Sequence, residues 1–153
     1  MHIVISALIV GLLGNVYIQA ALVGWASAQT IKVLLTLLLT HKFDYTRALG
    51  SGGMPSSHSA MVMALLTVIF LREGADSSVF ALAFCFSVVV MYDAAGVRRS
   101  TGKNAAVLNH LLEDMEGLGI DTPDERLKEL VGHTPIQVLA GAALGIVVGA
   151  IMA

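Results

Sequence analysis

The feature that most constrains the fold is a series of long apolar runs that carry almost no charge. They cover about residues 3–24, 28–41, 57–71, 78–97 and 134–153. Charged residues make up 13% of the 153-residue chain and hydrophobic residues 56%, whereas soluble domains carry roughly 25% charged residues. A chain of this length cannot bury so much apolar surface in one core. We therefore predict that lipid surrounds much of it.

The lengths of the runs predict an all-α helical bundle with about five membrane segments, some of them short or broken. A spanning helix needs about 20 apolar residues, and the first, fourth and fifth runs are long enough. The second and third runs are shorter, as expected for broken or tilted helices that line a cavity. The first boundary stays open, because residues 15–40 could instead form one long helix after a short interfacial piece. We interpret residues 1–153 as a single integral membrane domain.

The polar segment 98–132 holds most of the charge and begins with apolar residues at helical spacing, so it should start as an amphipathic helix. If the spans alternate, this segment and loop 41–57 lie on the same face of the membrane. Together they hold seven lysines and arginines, whereas loop 72–77 on the opposite face holds one. The positive-inside rule then places the basic face in the cytoplasm. The net charge of −2 gives no indication of nucleic acid binding.

The stretch SGGMPSSHSAMV, residues 51–62, places glycines, serines and a histidine directly before an apolar run. Ser56 or Ser57 can cap the helix that follows, and the free N–H groups of a helix start bind anions. His58 would lie beside such an anion and could donate a proton to a leaving oxygen near neutral pH. The plainer alternative is a capped helix after a glycine turn, with His58 merely at the membrane interface.

His133 stands before the last apolar run, on the same membrane face as His58. Two histidines at two helix starts suit a two-step transfer, in which one ring attacks and the other protonates the leaving group. Gly141, Gly145 and Gly149 follow at four-residue spacing. Such a stripe lets another helix pack closely, and a homo-oligomer through these glycines is one form that this packing could take.

Four further charged residues are candidates for a site. Asp93 falls near the end of an apolar run, where an unpaired carboxylate is unfavourable. Arg98 and Arg99 could pair with Asp93 or grip a phosphate, although one of them could simply anchor the helix at the membrane surface. Lys32 lies deep inside an apolar run, so a polar cavity is its expected environment. No Cys/His cluster has metal-ligand spacing, and we expect neither a metal nor a cofactor.

The combination of GGMPSSHSA with GHTPIQVLAGAALG resembles the type 2 phosphatidic acid phosphatase and vanadium haloperoxidase superfamily. The further stretches AQTIK, YDAAGVRR and LKELVGHTP are similar to its small, divergent bacterial branch, and the resemblance covers nearly the whole chain from Asn15 onward. It implies a helical bundle whose helix ends and loops form the site. It also implies that His133 is a nucleophile that becomes phosphorylated, that His58 is the general acid, and that Ser56 binds phosphate, with Ser57 replacing a glycine of the family motif.

The chain departs from the superfamily motifs at several positions. Gln137 occupies the place of an aspartate that would support the nucleophile, so Gln137 and Asp93 are the candidates for orienting His133. The arginine expected at position 127 is a leucine, and the usual first motif is absent. The candidate phosphate ligands that remain beside Ser56 and Ser57 are basic residues: Lys32, Arg47, Arg98 and Arg99.

These observations predict a metal-independent phosphatase of membrane lipid phosphates in the bacterial inner membrane, with its site facing the cytoplasm and an apolar cleft for the lipid chain. A phosphatidylglycerophosphate-like or polyprenyl phosphate substrate fits equally well. The alternative is a non-catalytic protein that binds or transports such lipids, which the altered third motif favours. A vanadate-dependent peroxidase is a weaker third alternative, because those relatives are large and soluble.

Overall fold

The computed structural model describes residues 10–40, 53–127, 129 and 132–153, except the side chain of Arg98. These residues are mostly helical and contain no strand, which confirms the predicted all-α class. A short helical turn at 10–14 comes first. The helices that follow are α1 (Val16–Thr40), α2 (Ser57–Glu73), α3 (Ser78–Ala95), α4 (Val97–Gly117) and α5 (Pro135–Met152).

Helix α1 is continuous, so the division into apolar segments at 3–24 and 28–41 is wrong and the single long helix is correct. Asn15 marks its start, because the Asn15 side-chain oxygen accepts hydrogen bonds from the backbone N–H groups of Tyr17 (2.9 Å) and Ile18 (3.3 Å). Gly24 does not end a helix. A Cβ atom there would lie 2.7 Å from the Ala60 carbonyl oxygen, so the glycine permits close contact with α2. Residues 1–9 and 41 lie outside the described residues.

Three stretches among the described residues are long and apolar enough to cross a membrane: Val16–Thr40, Ser78–Gly117 (through its apolar part, α3) and Pro135–Met152. Helix α2 is slightly shorter but runs beside α5 over its whole length. The Ser56 N–H donates to the Gln137 carbonyl (3.0 Å) at one end, and the Arg72 guanidinium donates to the Ala153 carbonyl (2.8 Å) at the other. Helices α2 and α5 therefore run side by side in the same direction, and α5 is about 27 Å long at helical rise.

Helix α2 lies at the centre of the bundle and contacts its neighbours through small residues. Ala60 is completely buried. Its carbonyl oxygen would lie 2.7 Å from a Cβ atom at Gly24 of α1 and 2.5 Å from one at Gly145 of α5. Such close backbone approach is typical of helices that pack in lipid. The expectation that the glycine stripe of α5 receives another helix is thus confirmed.

The helix that packs on this stripe is α2 of the same chain. A Cβ atom at Gly141 would collide with the Ser56 carbonyl group, and one at Gly149 would lie 2.6 Å from the Thr67 Cβ. Gly141, Gly145 and Gly149 are all buried in this contact. An oligomer would therefore have to form through other surfaces than these glycines.

Large apolar side chains point outward instead. Leu82 and Val89 of α3 and Ile151 of α5 are 73%, 65% and 79% exposed. Outward leucine, valine and isoleucine at this density suit lipid rather than water. The bundle is thus an integral membrane structure with a narrow interior of small residues.

The polar segment begins as the expected amphipathic helix, α4, which continues from α3 after Gly96. It ends at Gly117, and Gly119 follows with a positive φ of 77°. A left-handed glycine just beyond a helix end is a common stop signal. The helix therefore ends at a pair of glycines, Gly117 and Gly119.

Candidate two-histidine site

The structure brings His58 and His133 together at one end of the bundle. Their ring centroids lie 5.7 Å apart, and the ring planes are nearly perpendicular at 80°. His58 lies in the first turn of α2 and is half-buried, whereas His133 precedes α5 and is only 1% exposed. Residues 75 positions apart in the sequence thus form one pair.

Ser56 fixes the start of α2 at this site. Its hydroxyl accepts hydrogen bonds from the Ser59 N–H (3.4 Å) and the Ser59 hydroxyl (3.1 Å), so Ser56 is the helix cap. The Ser56 N–H donates to the Gln137 carbonyl in the first turn of α5. Because Gly141 has no side chain, α5 can lie directly on the Ser56 backbone. These contacts set the starts of the two histidine-bearing segments side by side.

Helix α3 holds His133 from another side. The His133 backbone N–H donates to the Ala94 carbonyl at 2.9 Å, near the end of α3. Asp93, the half-buried carboxylate predicted as an orienting group, is the residue before Ala94. Three helix ends therefore converge on the histidine pair.

The Gln137 side chain takes part in a helix cap, which the sequence analysis missed. Its Oε1 accepts from the Thr134 N–H (3.0 Å), while the Thr134 hydroxyl accepts from the Gln137 N–H (3.4 Å). This reciprocal pair is a capping box, and the pattern Thr-x-x-Gln at 134–137 was the signal for it. The glutamine at the expected aspartate position therefore has a structural role, and its orienting role towards His133 stays a prediction.

Lys32 of α1 lies beside the loop that leads to His58. It is 2% exposed, and its Nζ donates to the Gln29 Oε1 at 2.7 Å. Gly53, with a φ of 84°, lies on the lysine stem: a Cβ atom there would be 3.3 Å from the Lys32 Cγ and Cδ. The next peptide bond but one, Met54–Pro55, is cis. The loop before α2 thus packs against the buried aliphatic part of the Lys32 side chain.

The other predicted ligands are placed less centrally or cannot be placed. Ser57 is buried in the first turn of α2. Arg99 is exposed in the first turn of α4, just beyond the end of α3. Arg47 and the side chain of Arg98 lie outside the described residues. Within the described part of the chain, no group of three or more His, Cys, Asp or Glu side chains could hold a metal ion.

The fold and the site define an integral membrane helical protein with a buried histidine pair where helix ends meet. The sequence model described as the divergent PAP2 family matches residues 13–148, and the chain belongs to that family. This confirms the resemblance inferred from its motifs.

A relative in Bacillus subtilis (strain 168), named as the uncharacterized membrane protein YuiD, is similar along almost the full length. It is 40% identical over 152 residues, which cover 93% of this chain and 96% of the relative. The comparison with solved structures gives no match. The similarity therefore extends over the whole bundle and includes both histidine segments.

Proposed function

We propose that the protein is a phosphatase of membrane lipid phosphates that works through a phosphohistidine intermediate. The observation that carries this proposal is the His58–His133 pair, with ring centroids 5.7 Å apart at two helix starts. A phosphoryl group on one ring would be within reach of the other. Membership of the divergent PAP2 family supports phosphate ester chemistry at this place.

In the proposed first step, an imidazole nitrogen of His133 attacks phosphorus. The P–N bond forms and the bond from phosphorus to the lipid oxygen breaks, while protonated His58 gives its proton to that oxygen. In the second step water attacks phosphorus, His58 takes one proton from the water, and the P–N bond breaks. Inorganic phosphate and the free lipid alcohol leave, and His58 is protonated again for the next cycle.

The starts of α2 and α5 and the buried Lys32 support phosphate binding. Both helix starts carry a partial positive charge, which favours an anion. Lys32 adds a basic side chain beside the Gly53 loop. Ser56, Ser57, Arg47, Arg98 and Arg99 are the further proposed ligands. No metal or cofactor takes part in this proposal.

The lipid chain would occupy an apolar cleft between helices, with the headgroup at the histidine pair. Phosphatidylglycerophosphate-like and polyprenyl phosphate lipids both have the required charged head and apolar tail. The excess of basic residues in 41–57 and 98–132 supports a site that faces the cytoplasm of a bacterial inner membrane.

The test is release of inorganic phosphate from a panel of lipid phosphates by the purified protein in lipid nanodiscs. His133→Ala should abolish release, and His58→Ala should reduce it strongly. His110→Ala is the matched control, because the His110 side chain is 76% exposed on α4. Full activity of His133→Ala would refute the mechanism.

A second candidate function is binding or transport of phosphorylated lipids without hydrolysis. The Gln137 capping box favours it, because this side chain supports helix α5 where a phosphatase of the superfamily would carry a carboxylate. Tight binding of a lipid phosphate by wild type, with no phosphate release, would favour this second function over the first.

A further inference from the structure

A buried asparagine outside the histidine site ties the polar segment together. Asn109 lies on α4 and is only 5% exposed. Its Nδ2 donates to the Leu127 carbonyl (2.8 Å), and its Oδ1 accepts from the Leu127 N–H (2.9 Å). The same Nδ2 also donates to the Glu129 carboxylate (2.8 Å). One side chain thus satisfies both peptide groups of a residue 18 positions further along the chain.

The contact matters for the site because Leu127 lies close to His133 along the chain. His133 follows Leu127 by only six residues, a length that can reach at most about 20 Å. Without the contact, exposed contacts of Glu116 to Thr122 and Arg126 would remain between the end of α4 at Gly117 and His133, sixteen residues further on. Asn109 therefore shortens the unanchored chain that leads to the buried histidine.

The other anchor of this chain lies at the site. The His133 N–H donates to the Ala94 carbonyl, and α5 starts two residues later. A segment that is fixed at both ends restricts the position of the His133 ring. A segment that is fixed at only one end can open locally and expose the ring. Glu116 adds exposed contacts to Thr122 and Arg126, but these are at the surface, where such pairs contribute little.

We infer that Asn109 is a positioning residue for His133: it holds the preceding segment against α4 so that the ring stays packed beside His58. Its effect on turnover rests on the proposed phosphatase function. Its effect on the burial of His133 does not, and the test below measures the two separately.

The first measurement is the rate at which diethyl pyrocarbonate modifies His133, followed by peptide mass spectrometry of the protein in nanodiscs. In wild type the buried ring should react slowly. Asn109→Ala should speed its modification by roughly tenfold, because the loss of buried hydrogen bonds makes local opening easier. Exposed His110 on the same helix is the internal standard and should react at an unchanged rate. Asn104→Ala, an exposed asparagine on α4, is the matched control and should behave as wild type.

Exchanging the amide and the carboxylate between positions 109 and 129 tests whether the hydrogen bond between them is needed. Asn109→Asp keeps an acceptor for the Leu127 N–H, but it removes the donor and faces the Glu129 carboxylate. His133 should again become more reactive. Adding Glu129→Gln supplies an amide donor opposite the new carboxylate, so the double variant should return towards the wild-type rate. This pair also decides the matter if Asn109→Ala does not fold.

The kinetic expectation is a fall in kcat with little change in KM for the lipid, because Asn109 is not one of the residues proposed to bind the lipid phosphate. Unchanged His133 reactivity in folded Asn109→Ala and Asn109→Asp would overturn the inference and leave Asn109 a stabilising residue only. Faster His133 modification together with an inactive wild type would uphold the inference and refute the phosphatase proposal.

Discussion

Gly141→Ala should separate the two helices that carry the histidines. The new Cβ atom would collide with the Ser56 carbonyl oxygen and lie 3.0 Å from the Ser56 carbonyl carbon and nitrogen. These are backbone atoms of a fully buried residue, so no flexible side chain can move aside. Ser56 is also tied to α5 by its hydrogen bond to the Gln137 carbonyl. The helices can accommodate the methyl group only by moving apart.

The size of the effect follows from two opposing contributions. Overpacking a close contact destabilises a protein by typically about 1–3 kcal/mol, and more where the neighbours cannot relax. Replacing glycine by alanine inside a helix contributes up to about 1 kcal/mol in the opposite direction. For rigid backbone neighbours we take the upper end of the first range, which leaves a net loss of about 2 kcal/mol. In a chain of this size that corresponds to a fall in Tm of about 4–8 °C.

Thermal unfolding in nanodiscs, followed by the fluorescence of Trp25, measures this loss. The matched control is Gly117→Ala at the end of α4, where a Cβ atom would meet nothing within 4 Å. That variant should be as stable as wild type or slightly more so. A Gly141→Ala protein with an unchanged Tm would show that α5 does not pack on Ser56 as described.

Three further predictions concern the site and its orientation. Phosphate release should survive EDTA and be blocked by vanadate; loss in chelator that a divalent ion restores would contradict the histidine mechanism. Gln137→Glu keeps the capping box and adds a carboxylate near His133, so turnover should rise by about tenfold, or roughly 1–2 kcal/mol in the barrier. Equal or lower turnover in a folded Gln137→Glu protein would argue against a weakened phosphatase. In a Cys85→Ser background, single cysteines placed in 41–57 and 98–132 should resist an impermeant thiol reagent in intact cells, and labelling of both from outside would reverse the orientation.

The sequence predicted the helices well where length and caps agreed. Of the two serines that could cap α2, Ser56 is the cap, and α5 begins close to the predicted start of the last apolar run at about residue 134. The split of α1 failed because the first apolar run was ended at about residue 24, which is a glycine. In lipid a glycine inside a helix commonly marks a close contact, and only the partner surface, here Ala60, distinguishes the two cases.

The sequence predicted those site residues that differ in polarity from their neighbours. His58, His133 and Lys32 are polar residues at the edge of or within apolar runs, so each stands out against its neighbours. Asn109 does not stand out, because an asparagine in an amphipathic helix resembles an ordinary surface residue. Its burial depends on a segment that returns to α4 from 18 residues away, and no local pattern in the sequence encodes that return.

The arrangement of small residues inside and large apolar residues outside changes which substitutions the protein can accept during its evolution. The Ala60 carbonyl limits the spacing of α1 on one side of α2 and of α5 on the other, so a Cβ atom added at Gly24 would displace α1 and one added at Gly145 would displace α5. Leu82 and Ile151 are exposed on the outside of the bundle, where one large apolar side chain can replace another. In a water-soluble protein, the bulky hydrophobic positions change slowly. Here the slow positions would be alanines and glycines, and divergent members of such a lineage could lose most of their visible similarity while keeping the same backbone spacing.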